Sequence, residues 1–383
     1  MYELFLTCPK GLEQICKKEI ASLCTSKIKT RQGGMSFEGT ILDIYKINLC
    51  SRLGMNLLVK IMSFNFKTIK DFYTSIYQYK WHTFIDPKMT FSIDVNIIKE
   101  NSLFNNSQYA ALKAKDSICD KLNSSKGRRP HIDKRNPDMN LKLVIESEKC
   151  IIYANSSGKP LYIRGYKKTP HQAPINESLA SGLIYLSEWD KKQDFLDPMC
   201  GSGTICMEAS MIKRNIPPGV SRRFSFQNWL NYDYDLYLSI FENLIRGIDE
   251  ESKNNIFGSD IDSESINACK ITSQSFRFDL AISFTIKNIT SFKKEKQYIK
   301  MVRLATIGGI PSRPVQTPIE YGTTISDLIP SIRESVTNIT WNFTLKQYGN
   351  IKPEVDVPRV ESDWRNIRKA LIRRILSFKF LAK

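Results

Sequence analysis

Residues 195–204 read Phe-Leu-Asp-Pro-Met-Cys-Gly-Ser-Gly-Thr, and in this stretch a short apolar strand gives way to a glycine-rich turn. Residues 204–213 follow with helical periodicity, so the turn is predicted to lead directly into a helix. Glycine at positions 201 and 203 permits positive φ and lets the backbone approach a ligand closely. The N–H groups at the start of such a helix can donate to a bound acceptor. A G-x-G pair is also typical of a plain tight turn, so it predicts a ligand site only together with other residues.

A second strand and helix follow the same pattern. Asn255 to Asp260 is predicted to be a strand, residues 263–275 its helix, and residues 282–286 a third strand. Strands that alternate with helices are typical of a parallel α/β sheet. Asp260 lies at the end of its strand, where a carboxylate can accept hydrogen bonds from both hydroxyls of a ribose.

The spacing between the glycines and Asp260 narrows the choice of ligand. A dinucleotide-binding fold places the acidic residue about 20 residues after the glycines, whereas here a long excursion over residues 216–246 intervenes. Thr204-Ile205 also replaces the third glycine of G-x-G-x-x-G. The pattern therefore disfavours a nicotinamide dehydrogenase and favours an adenosyl ligand without a pyrophosphate.

The N-terminal part of the chain has a different organisation, with strands and helices mixed as in an α+β unit. A second mixture of this kind occupies about residues 65–160 and ends in the small, polar stretch Ser156-Ser-Gly-Lys-Pro160, a predicted domain join. We predict four segments: 1–64, 65–160, 161–292 and 293–383.

Composition limits the function classes. The chain has 383 residues, and 56 Lys and Arg against 39 Asp and Glu give a net charge of +17 and a pI near 9.4. Such a surface favours a polyanion as partner, although a Lys-rich genome would produce the same excess.

The nine cysteines form no C-x-x-C pair, and His82, His131 and His171 share no ligand spacing, so we predict no metal site. The sequence has no apolar run of about 18 residues and no leader pattern. We therefore expect no membrane association and a location in the reducing cytoplasm.

Several further short motifs occur in register along residues 1–292. They are Cys8-Pro-Lys-Gly-Leu-Glu13, Phe37-Glu-Gly39, Tyr45, Ser51-Arg52, Lys115-Asp116, Arg129-Pro130, Arg164-Gly-Tyr166, Ala173-Pro-Ile-Asn-Glu-Ser-Leu-Ala180, Met207-Glu-Ala209, Asn215-Ile-Pro-Pro-Gly219 and Trp229. Together with Asp197 to Thr204 they resemble the THUMP-domain RNA methyltransferases that use S-adenosylmethionine. In particular, the chain is similar to bacterial 23S rRNA guanine-N2 methyltransferases, in the N-terminal half of RlmL and its stand-alone relatives.

The resemblance implies a ferredoxin-like unit, a THUMP RNA-binding domain and a Rossmann-like methyltransferase domain. It also implies S-adenosylmethionine as cofactor, rRNA as partner and methylation of the guanine N2 amine. The cofactor-binding residues that it implies are Ala173, Pro174, Glu177, Asp197, Cys200, Gly201, Gly203, Thr204, Asp260, Ile261 and Asn288.

Basic residues of the second segment predict where RNA would bind. Arg can hold a phosphate with two hydrogen bonds, whereas Lys acts as a point charge. The alternative for the basic helix and loop is a solvated helix face, and for Arg164 it is a salt bridge across the domain join. The predicted RNA-binding residues are Lys113, Lys115, Lys126, Arg128, Arg129 and Arg164.

The sequence departs from the family where catalysis is expected. The family has Asn-Pro-Pro-Tyr or a close variant after its fourth strand, and this chain has none; Asn288 also stands where the family usually has Asp. We therefore identify no catalytic residue. After about Phe292 the sequence no longer resembles the family, which leaves three alternatives: a divergent catalytic tail, a frameshifted or fused reading frame, or a domain that has lost catalysis.

Two functional hypotheses follow from the sequence. The first is an S-adenosylmethionine-dependent rRNA guanine-N2 methyltransferase. The second is a non-catalytic RNA-binding protein that keeps a vestigial cofactor fold. The oligomeric state stays open.

Overall fold

The computed structural model describes residues 1–99, 103–104, 106–167, 175–250, 255–278, 281–287, 301, 318–348, 359 and 361–371. The chain forms two compact units, residues 1–287 and 288–383. In the described ranges we find no helix with the length and hydropathy needed to cross a membrane.

The first unit contains eleven described strands and eight described α-helices. In chain order they are β1 (Tyr2–Thr7), α1 (Glu13–Leu23), β2 (Lys29–Arg31), β3 (Gly34–Gly39), α2 (Ile41–Cys50), β4 (Asn56–Asn65), α3 (Ile69–Gln78), β5 (Thr90–Lys99), α4 (Ser107–Lys126), β6 (His131–Ile132), β7 (Met139–Glu146), β8 (Lys149–Asn155), α5 (Glu177–Leu186), β9 (Phe195–Asp197), α6 (Thr204–Lys213), α7 (Tyr234–Arg246), β10 (Ile256–Asp260), α8 (Ser263–Ser275) and β11 (Ile282–Ile286).

The two N-terminal domains share one eight-stranded sheet, in the order β2-β3-β1-β4-β8-β7-β5-β6. The long strand β4 joins them, because it pairs antiparallel with β1 on one side and with β8 on the other. Alternating side chains of β7 are buried, as expected for a sheet with one covered face. The ferredoxin-like and THUMP folds therefore share one continuous hydrophobic core.

The excursion over residues 216–246 returns to this N-terminal core. Phe224, Phe226 and Trp229 are buried there, and the ring of Phe226 stacks on that of Tyr45 with centroids 4.6 Å apart. The Tyr45 hydroxyl accepts a hydrogen bond of 2.9 Å from the backbone N–H of Asp233, the residue that caps α7. The insertion that separates the glycines from Asp260 thus attaches the domain with the parallel sheet to the N-terminal domains.

The domain that follows the join is built on a parallel sheet with the described order β11-β10-β9. In register, Ile256 lies between Phe195 and Ile282, and Gly258 lies between Asp197 and Phe284. This confirms the predicted strand–helix alternation, and α6 and α8 have the predicted bounds. All three strands run in the same direction, so their carboxyl ends meet at one edge.

The described residues of the second unit are mainly helical and have a core of their own. Among these residues, the α-helices are α9 (Pro318–Leu328), α10 (Arg333–Tyr348) and α11 (361–371). In the sequence, apolar residues recur at helical spacing near the end of the chain, which predicts one apolar helix face of Trp364, Ile367, Leu371, Ile375 and Phe378. Ile367 and Leu371 of α11 are fully buried and Trp364 packs against the same core, which confirms that part of the predicted apolar face. Ile375 and Phe378, which the sequence assigns to the same face, lie outside the described residues.

Candidate cofactor site

The glycine-rich turn lies at the carboxyl edge of the parallel sheet. The Cys200 N–H donates to the Ser259 carbonyl at 3.0 Å, which ties the turn to β10. Gly201 and Gly203 have φ of +50° and +72°, in the left-handed region that glycine adopts at low cost. Gly203 caps α6, and no side chain in the described part of the sequence caps its first turn. The Gly201 and Gly203 N–H groups donate to Asp260 and to the Cys200 carbonyl, so the N–H groups available to a ligand are those at the start of α6.

Gly203 is required by packing as well as by its φ angle. A Cβ at this position would lie 2.8 Å from the Sγ of Cys269 and 3.1 Å from the ring of Phe284. Both neighbours are buried beneath the turn. Any larger residue at position 203 would displace the turn from α8 and β11.

Asp260 faces the glycine-rich turn across the edge of the sheet. Its Oδ2 accepts a hydrogen bond of 2.8 Å from the Gly201 N–H, and its Oδ1 accepts one of 3.1 Å from the Asp262 N–H. A carboxylate has about four lone-pair sites, so these two contacts orient it and leave it able to accept hydroxyl donors. The next side chain, Ile261, is 68% exposed and offers an apolar surface beside the carboxylate.

Buried thiols support the turn from below. The Cys269 thiol donates to the Gly201 carbonyl at 3.2 Å. A hydrogen bond with Cys269, together with burial, raises the pKa of Cys200 far above its ordinary value. Burial likewise raises the pKa of Cys206 on α6. The Cys200 and Cys206 thiols therefore stay protonated at neutral pH and are not nucleophiles.

The structure brings together most of the predicted cofactor residues. Glu177 is buried in the first turn of α5, where burial raises its pKa and Lys167, 3.1 Å away, opposes that shift. Ala173, Pro174 and Asn288 lie outside the described residues. The residues that lie on the turn and at the adjacent strand ends are Asp197, Cys200, Gly201, Gly203, Thr204, Asp260 and Ile261.

A buried polar cluster on α6 was not predicted from the sequence, and it corrects one prediction. Glu208 accepts hydrogen bonds from the Tyr166 hydroxyl at 2.9 Å and from the Ser181 hydroxyl at 2.6 Å. Arg164 is only 2% exposed; its Nε lies 3.5 Å from Glu208, and its guanidinium donates to the Leu161 and Arg52 carbonyls. The prediction that Arg164 contacts RNA is therefore wrong: its salt bridge is to Glu208 of the same domain, and its link across the domain join is the hydrogen bond to the Arg52 carbonyl.

Arg52 makes a second link to α6 that the sequence did not reveal. One of its guanidinium nitrogens donates to the carbonyls of Met211 at 3.1 Å and Ile216 at 2.8 Å, at the C-terminal end of α6. A cation in this position complements the helix dipole and joins the turn in which the Met211 carbonyl also accepts the Ile216 N–H. Glu19 holds the backbone of Arg52 by accepting its N–H at 2.7 Å. The helix that begins at the cofactor turn is thus fixed to the ferredoxin-like domain.

The predicted RNA-binding residues of α4 and the following loop lie at the surface. Lys126, Arg128 and Arg129 are exposed. Arg129 lies 2.8 Å from Asp120, and Lys115 lies 2.7 Å from Asp116. Exposed ion pairs of this kind are weak, so these cations can exchange their partners for phosphate.

Comparison with known proteins finds three domain families in the chain. Residues 3–55 match the RlmL ferredoxin-like domain, residues 66–155 the THUMP domain and residues 164–302 the RMKL-like methyltransferase domain. The last match continues beyond the boundary predicted at residue 292.

Individual relatives and solved structures agree. The chain is 32% identical to the ribosomal RNA large subunit methyltransferase K/L of Psychromonas ingrahamii over 75% of this chain and 38% of the relative. It is also 32% identical to a putative RNA methyltransferase of Synechocystis sp., over 70% of each chain. A possible methylase from Clostridium difficile superposes with a TM-score of 0.69 at 30% identity, covering 77% of this chain and 78% of that one. A putative methyltransferase solved in complex with SAH superposes with a TM-score of 0.68 at 25% identity, with the same coverage.

A parallel sheet with a glycine-rich turn, attached to ferredoxin-like and THUMP domains, defines the class of THUMP-domain methyltransferases. The chain belongs to the family that includes the bacterial ribosomal RNA large subunit methyltransferases K/L. It spans about two fifths of the length of the K/L relatives that it matches.

Proposed function

We propose that this protein transfers a methyl group from S-adenosylmethionine to RNA, and that the acceptor is the exocyclic N2 amine of a guanine in 23S-type rRNA. The observation that carries the proposal is the pairing of the glycine-rich turn with the Asp260 carboxylate at the sheet edge. The choice of rRNA as substrate and of guanine as target base follows from resemblance to the family. The cysteines of the described chain are all free thiols, which suits a reducing cytoplasm as the place of action.

The residues at the edge fit the proposed cofactor. Asp260 would accept the ribose hydroxyls, Ile261 would lie against the adenine, and Gly201 and Gly203 would let the backbone approach the methionine end. Cys200 and Thr204 belong to the same turn, and Asp197 stands at the end of β9. When bound, the cofactor would supply an electrophilic methyl group. By resemblance, Ala173, Pro174, Glu177 and Asn288 complete the site.

RNA would be held by the N-terminal domains. Lys113, Lys115, Lys126, Arg128 and Arg129 would contact phosphates, which positions a strand without reading its sequence. Because α6 is linked to the ferredoxin-like domain through Arg52, RNA held there would keep a constant distance from the cofactor turn.

The cofactor site is tested by replacing Asp260. Asp260→Ala should weaken binding of S-adenosylhomocysteine by about tenfold or more in isothermal titration calorimetry, since at least one charge-assisted hydrogen bond is lost. Asp235→Ala, at an exposed position in the first turn of α7, is the matched control and should leave affinity unchanged. Full retention of affinity in Asp260→Ala would contradict the assigned site.

A second candidate function is RNA recognition without methyl transfer. It is favoured by the lack of an Asn-Pro-Pro-Tyr motif, whose polar groups hold the target amine in the family. The two candidates are separated by incubating the full chain with labelled S-adenosylmethionine and protein-free 23S rRNA. Label on a guanine would support the enzyme. Intact rRNA binding without label would favour the binding protein.

A further inference from the structure

A cavity of about 170 Å³ lies at the other end of α6 from the glycine-rich turn. Met211 and Ile216 reach it from the end of that helix, and Phe276 and Phe278 reach it from the segment between α8 and β11. This is the amino edge of the parallel sheet, whereas the cofactor turn lies at the carboxyl edge. The cavity is thus separate from the proposed cofactor site.

The size and lining of the cavity suit one planar ring. A cavity of about 150 Å³ lined by apolar side chains holds benzene, so 170 Å³ admits a six-membered heteroaromatic ring. The ring of Phe276 stacks on that of Phe278 with centroids 5.9 Å apart, and Tyr166 meets Phe278 edge-on at 5.7 Å. Together with Val220, these side chains provide apolar and aromatic walls, which bind bases with little sequence preference.

Arg277, between the two phenylalanines, provides a cation at the cavity. Its φ is +55°, a left-handed conformation in which glycine or asparagine is usual. The Arg214 guanidinium donates to the Arg277 carbonyl, so the neighbouring structure holds this costly conformation. The Arg277 side chain is 66% exposed, and its nearest acidic partner, Glu250, is 3.7 Å away. An ion pair as exposed as this one contributes little to stability. It therefore does not explain why an arginine occupies a position whose positive φ disfavours it.

We propose that this cavity binds a pyrimidine nucleotide, with the base against the side chains of Phe276, Phe278 and Val220 and the phosphate on Arg277. We assign this nucleotide to the RNA strand, at a position other than the target guanine. Bound in the cavity, it would anchor the strand on the methyltransferase domain itself. The site goes beyond the proposed methyl transfer and rests on the proposed function only for RNA as the source of the nucleotide.

Binding is tested on the full chain with uridine 5′-monophosphate and with uridine, by saturation-transfer NMR. Arg277→Asn keeps a residue that tolerates positive φ and should weaken uridine 5′-monophosphate by about tenfold, the loss expected for one charge-assisted contact, while uridine is unaffected. Arg246→Asn is the matched control, because Arg246 is also exposed and also pairs with one carboxylate, Glu242. Val220→Phe fills the cavity and should abolish binding of both probes. No binding by the wild-type chain, or equal binding by Val220→Phe, would overturn the site.

The source of the nucleotide is tested by crosslinking wild-type protein to 4-thiouridine-substituted rRNA. Crosslinks mapped to residues 276–278 would support an RNA strand, and competition by uridine 5′-monophosphate should remove them. Probe binding without such crosslinks would support the cavity as a free-nucleotide site and overturn the RNA assignment. Probe binding and crosslinking both use wild-type protein, so they still test the proposed site if Val220→Phe does not fold. Neither readout measures methyl transfer, so failure of the cavity and failure of the proposed enzyme activity are distinguishable.

Discussion

Replacing Gly203 by alanine tests whether the glycine-rich turn is shaped by its packing as well as by its backbone angle. At φ +72° an L-residue costs about 1–2 kcal/mol relative to glycine. The added Cβ would also lie 2.8 Å from the Cys269 Sγ, a distance at which one of the two must move. Overpacking of this kind costs about 1–3 kcal/mol. We therefore expect Gly203→Ala to lower the free energy of unfolding of the methyltransferase domain by about 2–5 kcal/mol.

Gly127 provides a matched control for the backbone part of this cost. It has φ +67° at the end of α4, and a Cβ there would have nothing within 4 Å. Gly127→Ala should therefore cost only the backbone part, about 1–2 kcal/mol. The difference between the two variants isolates the clash beneath the turn.

Urea unfolding by circular dichroism measures both variants, and hydrogen exchange over residues 195–213 localises the loss to the turn and α6. The double variant Gly203→Ala, Cys269→Ala should recover part of the loss, because the shorter side chain removes the closest contact, and the coupling should exceed about 0.5 kcal/mol. Equal losses in Gly203→Ala and Gly127→Ala, or no recovery in the double variant, would refute the packing explanation.

Three more predictions concern the links and charges around the site. Arg52→Ala should lower the free energy of unfolding by about 2–4 kcal/mol in urea titrations, because its buried contacts to the end of α6 are lost. As a control, replacing the exposed Arg129 by alanine should cost less than about 1 kcal/mol. Similar losses in the two variants would contradict a stabilising link between Arg52 and α6. Burial raises the pKa of Glu19, so the folded protein favours the protonated carboxyl group. The stabilisation from this group is fully present below the unfolded pKa near 4.3 and is lost as the pH rises through the folded pKa. Melting temperatures of Glu19→Gln should therefore improve relative to wild type as the pH rises from about 4 to 7; a constant difference would disprove this sign. The double variant Lys126→Ala, Arg128→Ala should reduce the salt slope of rRNA binding in fluorescence anisotropy by about 1.4–1.8, which is about 0.7–0.9 per lost phosphate contact; an unchanged slope would remove both residues from the interface.

Local patterns were enough to place the candidate cofactor site. The glycine pair and Asp260 were predicted from strand and helix periodicity, and α6 and α8 begin and end where the sequence predicts. Strand ends and helix starts depend on residues that are close in the chain, such as Asp262, whose side chain accepts the N–H groups of Glu264 and Ser265 at the start of α8. Such signals survive in a single sequence because their partners lie within a few residues.

The role of Arg164 could not be predicted in this way. In the sequence it is one more cation in a strongly basic chain, and only the fold brings it against Glu208, 44 residues further on, and against the Arg52 carbonyl. Whether an arginine binds phosphate or closes a domain join depends on what buries it. Periodicity shows which face of an element is apolar and says nothing about which distant polar groups face it.

The sequence by itself determined the class of fold, and it predicted that the glycine-rich turn and Asp260 follow two successive strands of the sheet. Only the tertiary structure decided how these parts are joined: β4 carries one sheet through two domains, and residues 224–229 return to the N-terminal core beside Tyr45. The physical reason is the range of the interactions. Capping, turns and amphipathic patterns act over a few residues, whereas strand pairing and core packing join residues that can be 100 to 200 positions apart and have no local sequence signal.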